Sequence, residues 1–351
     1  MPADGARLHP RATVTTDPDA AAAALADGHC AVIPTETVYG LGARADLPSA
    51  IARVFAVKQR PTDHPLIVHV ADADAAWQWA SHVPAYARAL AEAVWPGPLT
   101  LVLRRSDRAH DDVTGGQDSV ALRVPAHPMT QAVLRDLARR CADPAIGIAA
   151  PSANRFGRVS PTTAAHVVDE LGDLLTHRDV ILDGGACAVG LESTIVDATG
   201  SQPRVLRPGG ISAHEVRAIT HLDLGTDSTV RAPGTLAAHY APRAHVRVIT
   251  DPAALDAHIL SDQHRGRPAG EPASEPVGFI ALASVPTPPG LVRLITPTDT
   301  AEYARSLYSA LREADAKNLS LVVAVAPPPG GIGDAIRDRL ERAATRDTTQ
   351  S

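Results

Sequence analysis

Pro34-Thr35-Glu36-Thr37-Val38-Tyr39-Gly40-Leu41-Gly42 is the densest group of polar side chains in an apolar setting, and it follows the run Cys30 to Pro34, which reads as a strand. Loops at the ends of sheet strands are where α/β proteins hold ligands. From the residues alone two readings stay open: a ligand loop, or a glycine-containing turn whose threonines satisfy nearby backbone groups. Gly40-Leu41-Gly42-Ala43-Arg44-Ala45 also fits a loose G-x-G-x-x-A pattern. The next helix begins near Pro48, however, so a pyrophosphate there would lack the helix N-terminus that dinucleotide sites use.

Working outward, Asp17-Pro18 opens an Ala-rich helix closed by Gly28, and Asp46-Leu47-Pro48 starts a helix with Ile51, Val54 and Phe55 on one face. Pro61 marks its exit before a strand-like Pro65 to Val70, and two more helices fit between Asp72 and Val94. Strands read at Leu99 to Leu103, Ser119 to Val124, Ile146 to Ala149, Val180 to Leu182, Glu192 to Val196 and Arg204 to Arg207. Helices fit Met129 to Arg140, and Pro161 to Leu171 with Ser160 as N-cap and Gly172 as stop. A first domain over 10–220 follows, then a turn-rich linker over 221–244. A second α/β rhythm over 245–346 has strands at Val246 to Ile249, Val277 to Leu282, Val292 to Ile295 and Leu319 to Val325. Residues 261–276, rich in Pro, Gly, Ser and charge, read as a disordered insertion.

The 351 residues exceed what one core usually organises, in keeping with two domains. With 33 Lys+Arg against 39 Asp+Glu the net charge is −6, which argues against a basic surface wrapped around nucleic acid. Cys30, Cys141 and Cys187 form neither a C-x-x-C pair nor a disulfide framework and read as reduced thiols. With no signal-type or membrane-length apolar run, a cytoplasmic soluble protein without a membrane partner is expected.

Candidate chemistry gathers at strand and helix ends. Lys58 and Arg60 sit at a helix C-terminus, where the dipole alone accounts for cations and is the favoured reading of the pair by itself; the functional reading is phosphate capture. Ala150-Pro151-Ser152-Ala153-Asn154 places a hydroxyl and an amide after a strand, either for a ligand oxygen or as an Asx or Ser turn. Arg123 lies in an otherwise apolar strand; burial would demand a partner such as a substrate carboxylate, whereas an edge strand would need none. His64 and His69 bracket a strand-like run at a spacing that sends them to opposite faces, against a shared metal. There is no Walker loop and no G-x-S-x-G elbow.

Taken with Lys58-Gln59-Arg60-Pro61, Pro65-Leu66-Ile67-Val68-His69, Trp95-Pro96-Gly97-Pro98-Leu99-Thr100, Gly190-Leu191-Glu192-Ser193-Thr194 and Leu206-Arg207-Pro208-Gly209, these stretches resemble the threonylcarbamoyl-AMP synthase (YrdC-like) family. His239-Tyr240-Ala241-Pro242 and Gly331-Ile332-Gly333-Asp334-Ala335-Ile336 fit its long form, so the resemblance spans nearly the whole chain. It implies an α/β fold: a YrdC-like domain with a large twisted mixed sheet, a linker, and a smaller Rossmann-like C-terminal domain. It implies a nucleotidyltransferase that makes L-threonylcarbamoyl-AMP and pyrophosphate from L-threonine, bicarbonate and ATP with Mg²⁺. The product would serve a downstream tRNA threonylcarbamoyl transferase machinery acting on the adenosine next to the anticodon, with a weak tRNA contact at most.

By the same resemblance Lys58, Arg60, Ser152 and Asn154 would surround the phosphates and the carbamate as the catalytic set. Thr35, His69, Arg123 and Ser193 would hold threonine, and His64, Ser119, Ala150, Ser160, Arg207 and Ala237 would complete the ATP site. Two positions depart from the pattern: many members carry Asn where this chain has His64, and some long forms carry a linker tyrosine where it has Ala237. A nucleic-acid-binding module, and a carbamoyl transferase with another acceptor, are the competing readings.

Overall fold

The computed structural model describes residues 12–235, 239–251 and 276–345. Contacts within the backbone divide the chain into one unit of 1–156 and 160–235 and a second of 157–159 and 236–351. The expected linker therefore does not behave as one piece: its residues up to Thr235 belong to the first unit, and His239 onward to the second.

In the first unit an 11-stranded mixed sheet runs in the order Thr13–Thr15, Val180–Leu182, Ala31–Ile33, Gly40–Arg44, Ile148–Ala149, Ile67–His69, Ser119–Arg123, Leu99–Arg105, Thr194–Asp197, Arg204–Arg207, with Ala80–His82 pairing off Leu99–Arg105. The strand–turn–strand at the start is a correction to the sequence reading. Gly40-Leu41-Gly42 is not loop but the start of a strand, antiparallel to Ala31–Ile33 with Gly42 opposite Ala31. Glycine is required there by packing: a Cβ on Gly42 would lie 2.7 Å from Ile148 Cγ2 and 3.0 Å from the Ala31 carbonyl oxygen. The residues 34–39 are thus a hairpin connection, and Tyr39 anchors it by donating to the Gly185 carbonyl at 2.7 Å.

Alternation along the central strands separates two faces. Val68, Val70, Leu101, Leu103, Val120 and Leu122 enter the main core. Ile67, Val102, Ala121 and Ile195 point the other way and form a small cluster with Ala232. By the period of two, His69, Ser119 and Arg123 share that second face.

The helix Pro48–Lys58 buries Ile51, Val54 and Phe55, starts with proline in its first turn, and stops at Gln59, whose φ of 53° is left-handed. That stop turns the chain between Lys58 and Arg60. A second correction concerns the helix expected from Pro161 with Ser160 as N-cap. It spans Ala164–Leu171, capped by Thr163, which accepts from His166 N at 3.3 Å. The preceding residues are drawn elsewhere: the Pro161 carbonyl accepts from Tyr39 N at 2.9 Å, and Ser160 bonds to Glu192. The helix Ala213–Thr220, opened by a Ser212/Glu215 capping box, was not marked by the sequence reading.

The second unit carries a four-stranded, all-parallel sheet in the order His245–Ile249, Leu321–Val325, Val277–Ile280, Leu291–Ile295, with helices Thr300–Ala316 and Ile332–Ala344. Parallel pairing of this kind requires crossover connections, matching the Rossmann-like expectation. His239-Tyr240 serves this unit: Tyr240 stacks on Tyr308 at 5.8 Å, and the buried Arg339 guanidinium lies 5.0 Å from its ring. The disordered insertion expected at 261–276 lies outside the described residues except for Pro276, as does Ala237. The three cysteines are unbridged.

Candidate functional site

Arg123 ends an interior strand, paired with Ile67–His69 on one side and Leu99–Arg105 on the other, so the edge-strand account of its charge does not apply. It is buried, and its partner is Glu36. Nη2 donates to Glu36 Oε1 at 2.7 Å, Nη1 to Thr37 Oγ1 at 2.9 Å and Nε to the Gly97 carbonyl at 3.3 Å. A guanidinium has five N–H groups, so one on each Nη remains. Glu36 Oε2 accepts from Ala126 N at 3.0 Å. Burial pushes the Glu36 carboxyl up, but the charge and hydrogen bond of Arg123, with backbone N–H groups, outweigh it and hold it below the usual carboxylate range.

Thr37, which accepts from Arg123, contacts Thr35 Oγ1 at 2.9 Å, and Thr35 donates to the Val38 carbonyl at 2.6 Å. With the Thr35 proton committed to Val38, Thr37 is the donor between the two hydroxyls, giving a relay from Arg123 through Thr37 to Thr35. Thr35 also accepts from Thr37 N and Val38 N, so the hydroxyl is used locally, as the turn reading supposed.

His69 stands directly beside Arg123 in parallel register. It is buried, and its Nδ1 has no hydrogen-bond partner. Burial and the adjacent Arg123 cation lower its pKa to about 3, so the ring is neutral at physiological pH.

Lys58 is 1% exposed, and its ammonium donates to the carbonyls of Ser152 and Asn154. The Lys58 carbonyl in turn accepts from Phe156 N at 3.0 Å, so the helix end and the Ser152–Asn154 turn are stitched together. Burial first, and the neighbouring Arg60 cation second, push the Lys58 pKa well below the ordinary lysine value. Arg60 donates to the Pro65 carbonyl at 3.0 Å and lies 5.8 Å from the Phe156 ring. His64 meets the same ring edge-on at 5.3 Å; burial and Arg60 lower its pKa. Ala150 N bonds to the Ile67 carbonyl at 3.0 Å, which ties this turn to the strand carrying His69.

Ser193 Oγ bonds Thr100 Oγ1 at 2.7 Å and receives Arg207 Nη2 at 3.1 Å. Arg207 also donates to the Ser193 carbonyl at 2.8 Å and, through Nη1, to the Pro233 carbonyl at 2.9 Å. Ser160 donates to Glu192 Oε1 at 2.6 Å, and Ser119 is buried at the start of the Arg123 strand. The sequence-predicted residues therefore fall into a group around Arg123 and His69, a cationic group around Lys58 and Arg60, and a seryl group around Ser193 and Arg207. Glu36, Thr37, Thr100 and Glu192 were not singled out; the signal for Glu36 was an acid within an otherwise neutral run.

Residues 23–209 match the Sua5/YciO/YrdC family model, described as "Telomere recombination", and residues 211–345 match "Threonylcarbamoyl-AMP synthase, C-terminal domain". The threonylcarbamoyl-AMP synthase of Pyrococcus abyssi is 36% identical over 337 residues, covering 92% of this chain and 93% of the relative. That of Bacillus subtilis is 36% identical over 341 residues, covering 94% of each. Among solved structures, Pyrococcus abyssi Sua5 complexed with L-threonine superposes with a TM-score of 0.80 at 32% identity, over 95% of this chain and 96% of that one. A doubly substituted form of the same protein gives 0.82 at 32% identity, with the same coverage. The chain belongs to the threonylcarbamoyl-AMP synthase family and is an enzyme of the nucleotidyltransferase type, with the Sua5 C-terminal domain in place.

Proposed function

We propose that the first unit joins L-threonine, bicarbonate and ATP into L-threonylcarbamoyl-AMP and pyrophosphate, for threonylcarbamoyl modification of the tRNA adenosine next to the anticodon. The observation that carries this reading is the Arg123–His69 pair. One N–H on each Nη is left to meet a carboxylate as a fork, beside a buried imidazole nitrogen with no partner. An amino acid offers the groups that satisfy both.

In the reaction an oxygen of the threonine carbamate attacks the α-phosphorus of ATP; the new P–O bond forms as the bond to the β-phosphate oxygen breaks and pyrophosphate leaves. No enzyme nucleophile takes part. The protein's task is to align two anions and to neutralise charge as it develops. Lys58 and Arg60 supply that charge, with Ser152 and Asn154 held around them by the Lys58 bonds. His64, Ser119, Ala150, Ser160 and Arg207 complete the ATP site in this reading, with Ala237 outside the described residues, and Thr35 and Ser193 the threonine site.

Mg²⁺ arrives with ATP. The donor set suits a polyphosphate carrying its own cation: buried Glu36 and Glu192 are bonded to Arg123 and Ser160, and among the described residues no group of three or more metal-binding side chains occurs. Phosphate oxygens and water then supply the ligands, with no protein ligand assigned.

Carbamates lose carbon dioxide readily, so water exclusion matters. Ala232 of the linker lies on the Ile67, Ala121 and Ile195 cluster, and Pro233 receives Arg207. We assign the first unit's end of the linker, through Thr235, the role of a lid over this face. Limited proteolysis that cuts it equally with and without ATP plus threonine would count against the lid.

A cytoplasmic setting and hand-over of the product to a tRNA threonylcarbamoyl transferase complete the proposal; among the described residues no helix is long and apolar enough to cross a membrane. Mass spectrometry of protein incubated with ATP, Mg²⁺, bicarbonate and L-threonine, each omitted in turn, tests the reaction. A threonylcarbamoyl adenylate that needs all three substrates is the expected result. Tight, salt-sensitive tRNA binding by a protein inert towards threonine would favour the nucleic-acid reading instead.

A further inference from the structure

Arg123 is fixed from three sides in the plane of its guanidinium: Gly97 at Nε, Thr37 at Nη1 and Glu36 at Nη2. Two of these acceptors are neutral. Glu36 is the charged one, and it is itself immobilised, because its second oxygen receives Ala126 N just beyond the Arg123 strand. The pair is buried, with side-chain exposures of 4% for Arg123 and 11% for Glu36, so solvent does little to screen it.

A bare arginine in that position would have a long side chain with several rotamers and a full unit of charge. Ion pairing with Glu36 changes both properties. It removes rotamer freedom that would otherwise be lost on binding, and it offsets the positive charge that a substrate carboxylate would feel. The two consequences act in opposite directions on affinity. If charge dominated, loss of Glu36 would tighten binding; if geometry dominated, it would weaken it.

We propose that Glu36 is a positioning residue for the amino-acid substrate, holding Arg123 so that its two remaining N–H groups, one on each Nη, face the substrate carboxylate together. The inference rests on the reading of Arg123 as the carboxylate's partner. A fork of this type loses its bidentate geometry with small rotations, which favours the geometric consequence. The occupant is an α-amino acid carboxylate, and Glu36 acts on it only through Arg123.

The test uses the full chain and isothermal titration with L-threonine, L-threoninamide and ATP, alongside thermal melting. Glu36→Ala and Glu36→Asp are expected to raise the threonine Kd tenfold or more with the ATP Kd changed less than twofold. Glu36→Gln, which keeps an acceptor oxygen opposite Nη2, is expected to lose less than Glu36→Asp, which keeps the charge but withdraws the acceptor. The preference for threonine over threoninamide should shrink in Glu36→Ala and Glu36→Asp, which a general loss of stability would not produce. In an Arg123→Ala background, Glu36→Ala should add nothing.

Tighter threonine binding by Glu36→Ala or Glu36→Gln would overturn positioning in favour of a charge effect, and a loss in Glu36→Gln as large as in Glu36→Asp would overturn it by showing that the acceptor opposite Nη2 does not decide affinity. Should Glu36→Ala not fold, Glu36→Asp decides: an unchanged threonine Kd overturns the proposal. An Arg123→Ala variant that keeps threonine affinity would instead remove the carboxylate reading on which the proposal stands, a result separable from failure at Glu36.

Discussion

Replacing Lys58 by alanine is the sharpest test of how structure and chemistry are combined here. Its position at a helix C-terminus leads the sequence reading to expect a variant that folds normally and fails only in turnover. The structure contradicts the first half, because Lys58 is 1% exposed and its ammonium is the donor to two carbonyls, Ser152 and Asn154. The Ser152 carbonyl keeps Asn154 N as a donor at 3.0 Å, so the lost Lys58 bonds cost about 1–3 kcal/mol together, and the three methylenes removed from a buried stem add about 2 kcal/mol. Part of this is offset, since burying the cation is itself penalised in the parent. A net loss of about 2–4 kcal/mol follows from these together. For a domain of this size about 2–4 °C of Tm accompanies each kcal/mol, so the melting temperature should fall by roughly 4–16 °C. Thermal unfolding followed by circular dichroism reads it. The pH dependence adds a sign. The folded pKa of Lys58 lies well below 10.5, so between that value and 10.5 the unfolded chain holds more protons than the folded one. The parent therefore gains stability as pH rises through this window, and Lys58→Ala does not share the gain. The stability gap should widen as pH rises towards 10.5. A Tm within about 2 °C of the parent, or a gap that narrows with rising pH, would refute the reasoning.

Arg123→Lys should raise KM for threonine about 10–100-fold, because an ammonium cannot serve Glu36, Thr37 and a carboxylate fork at once; pyrophosphate release at varied threonine measures it. Gly42→Ala should lower stability by about 1–3 kcal/mol, as its Cβ would sit 2.7 Å from Ile148 Cγ2, and urea unfolding checks it. His69 has a folded pKa of about 3 against 6.5 unfolded, so its contribution is present above pH 6.5 and lost as pH falls towards 3. His69→Gln should flatten the acid side of the stability profile, and an unchanged slope would show that His69 is not the group responsible.

The strand order of the sheet was not legible in the sequence, but most of its strands were. Val180 to Leu182 and Arg204 to Arg207 were bounded correctly because each is a short extended run between turn residues. Gly40–Arg44 was missed because two glycines read locally as turn, whereas the constraint that selects them is the approach of Ile148 and Ala31 from neighbouring strands. The Ser160 cap was misplaced for a related reason. Ser-Pro is a good local start for a helix, yet Ser160 is claimed by Glu192, 32 residues away in sequence. Lys58 and Arg60 were found as residues, while the depth of Lys58 was not, since a helix-end cation carries no sequence mark of burial.

Arg123, Arg207, Ser119, Thr100 and Ser193 are all buried, although the opposite side of the same sheet carries an ordinary aliphatic core. Burying polar side chains is unfavourable unless each finds a partner, and most of these do so within the protein. Arg207 is spread over Ser193 and Pro233, and Thr100 bonds Ser193. A face arranged in this way is held rigid before any ligand arrives, so little ordering remains to oppose binding. The exceptions then become informative. His69 Nδ1 is buried without a partner, and Arg123 retains one N–H on each Nη, and these two residues are neighbours across one pair of strands. Unsatisfied groups scattered over a surface would mean little, because water would meet them. Adjacent ones, on the buried polar face of a sheet and fixed by Glu36 and Thr37, leave a place that is stabilised most by a small molecule bringing its own carboxylate and hydrogen-bonding partner.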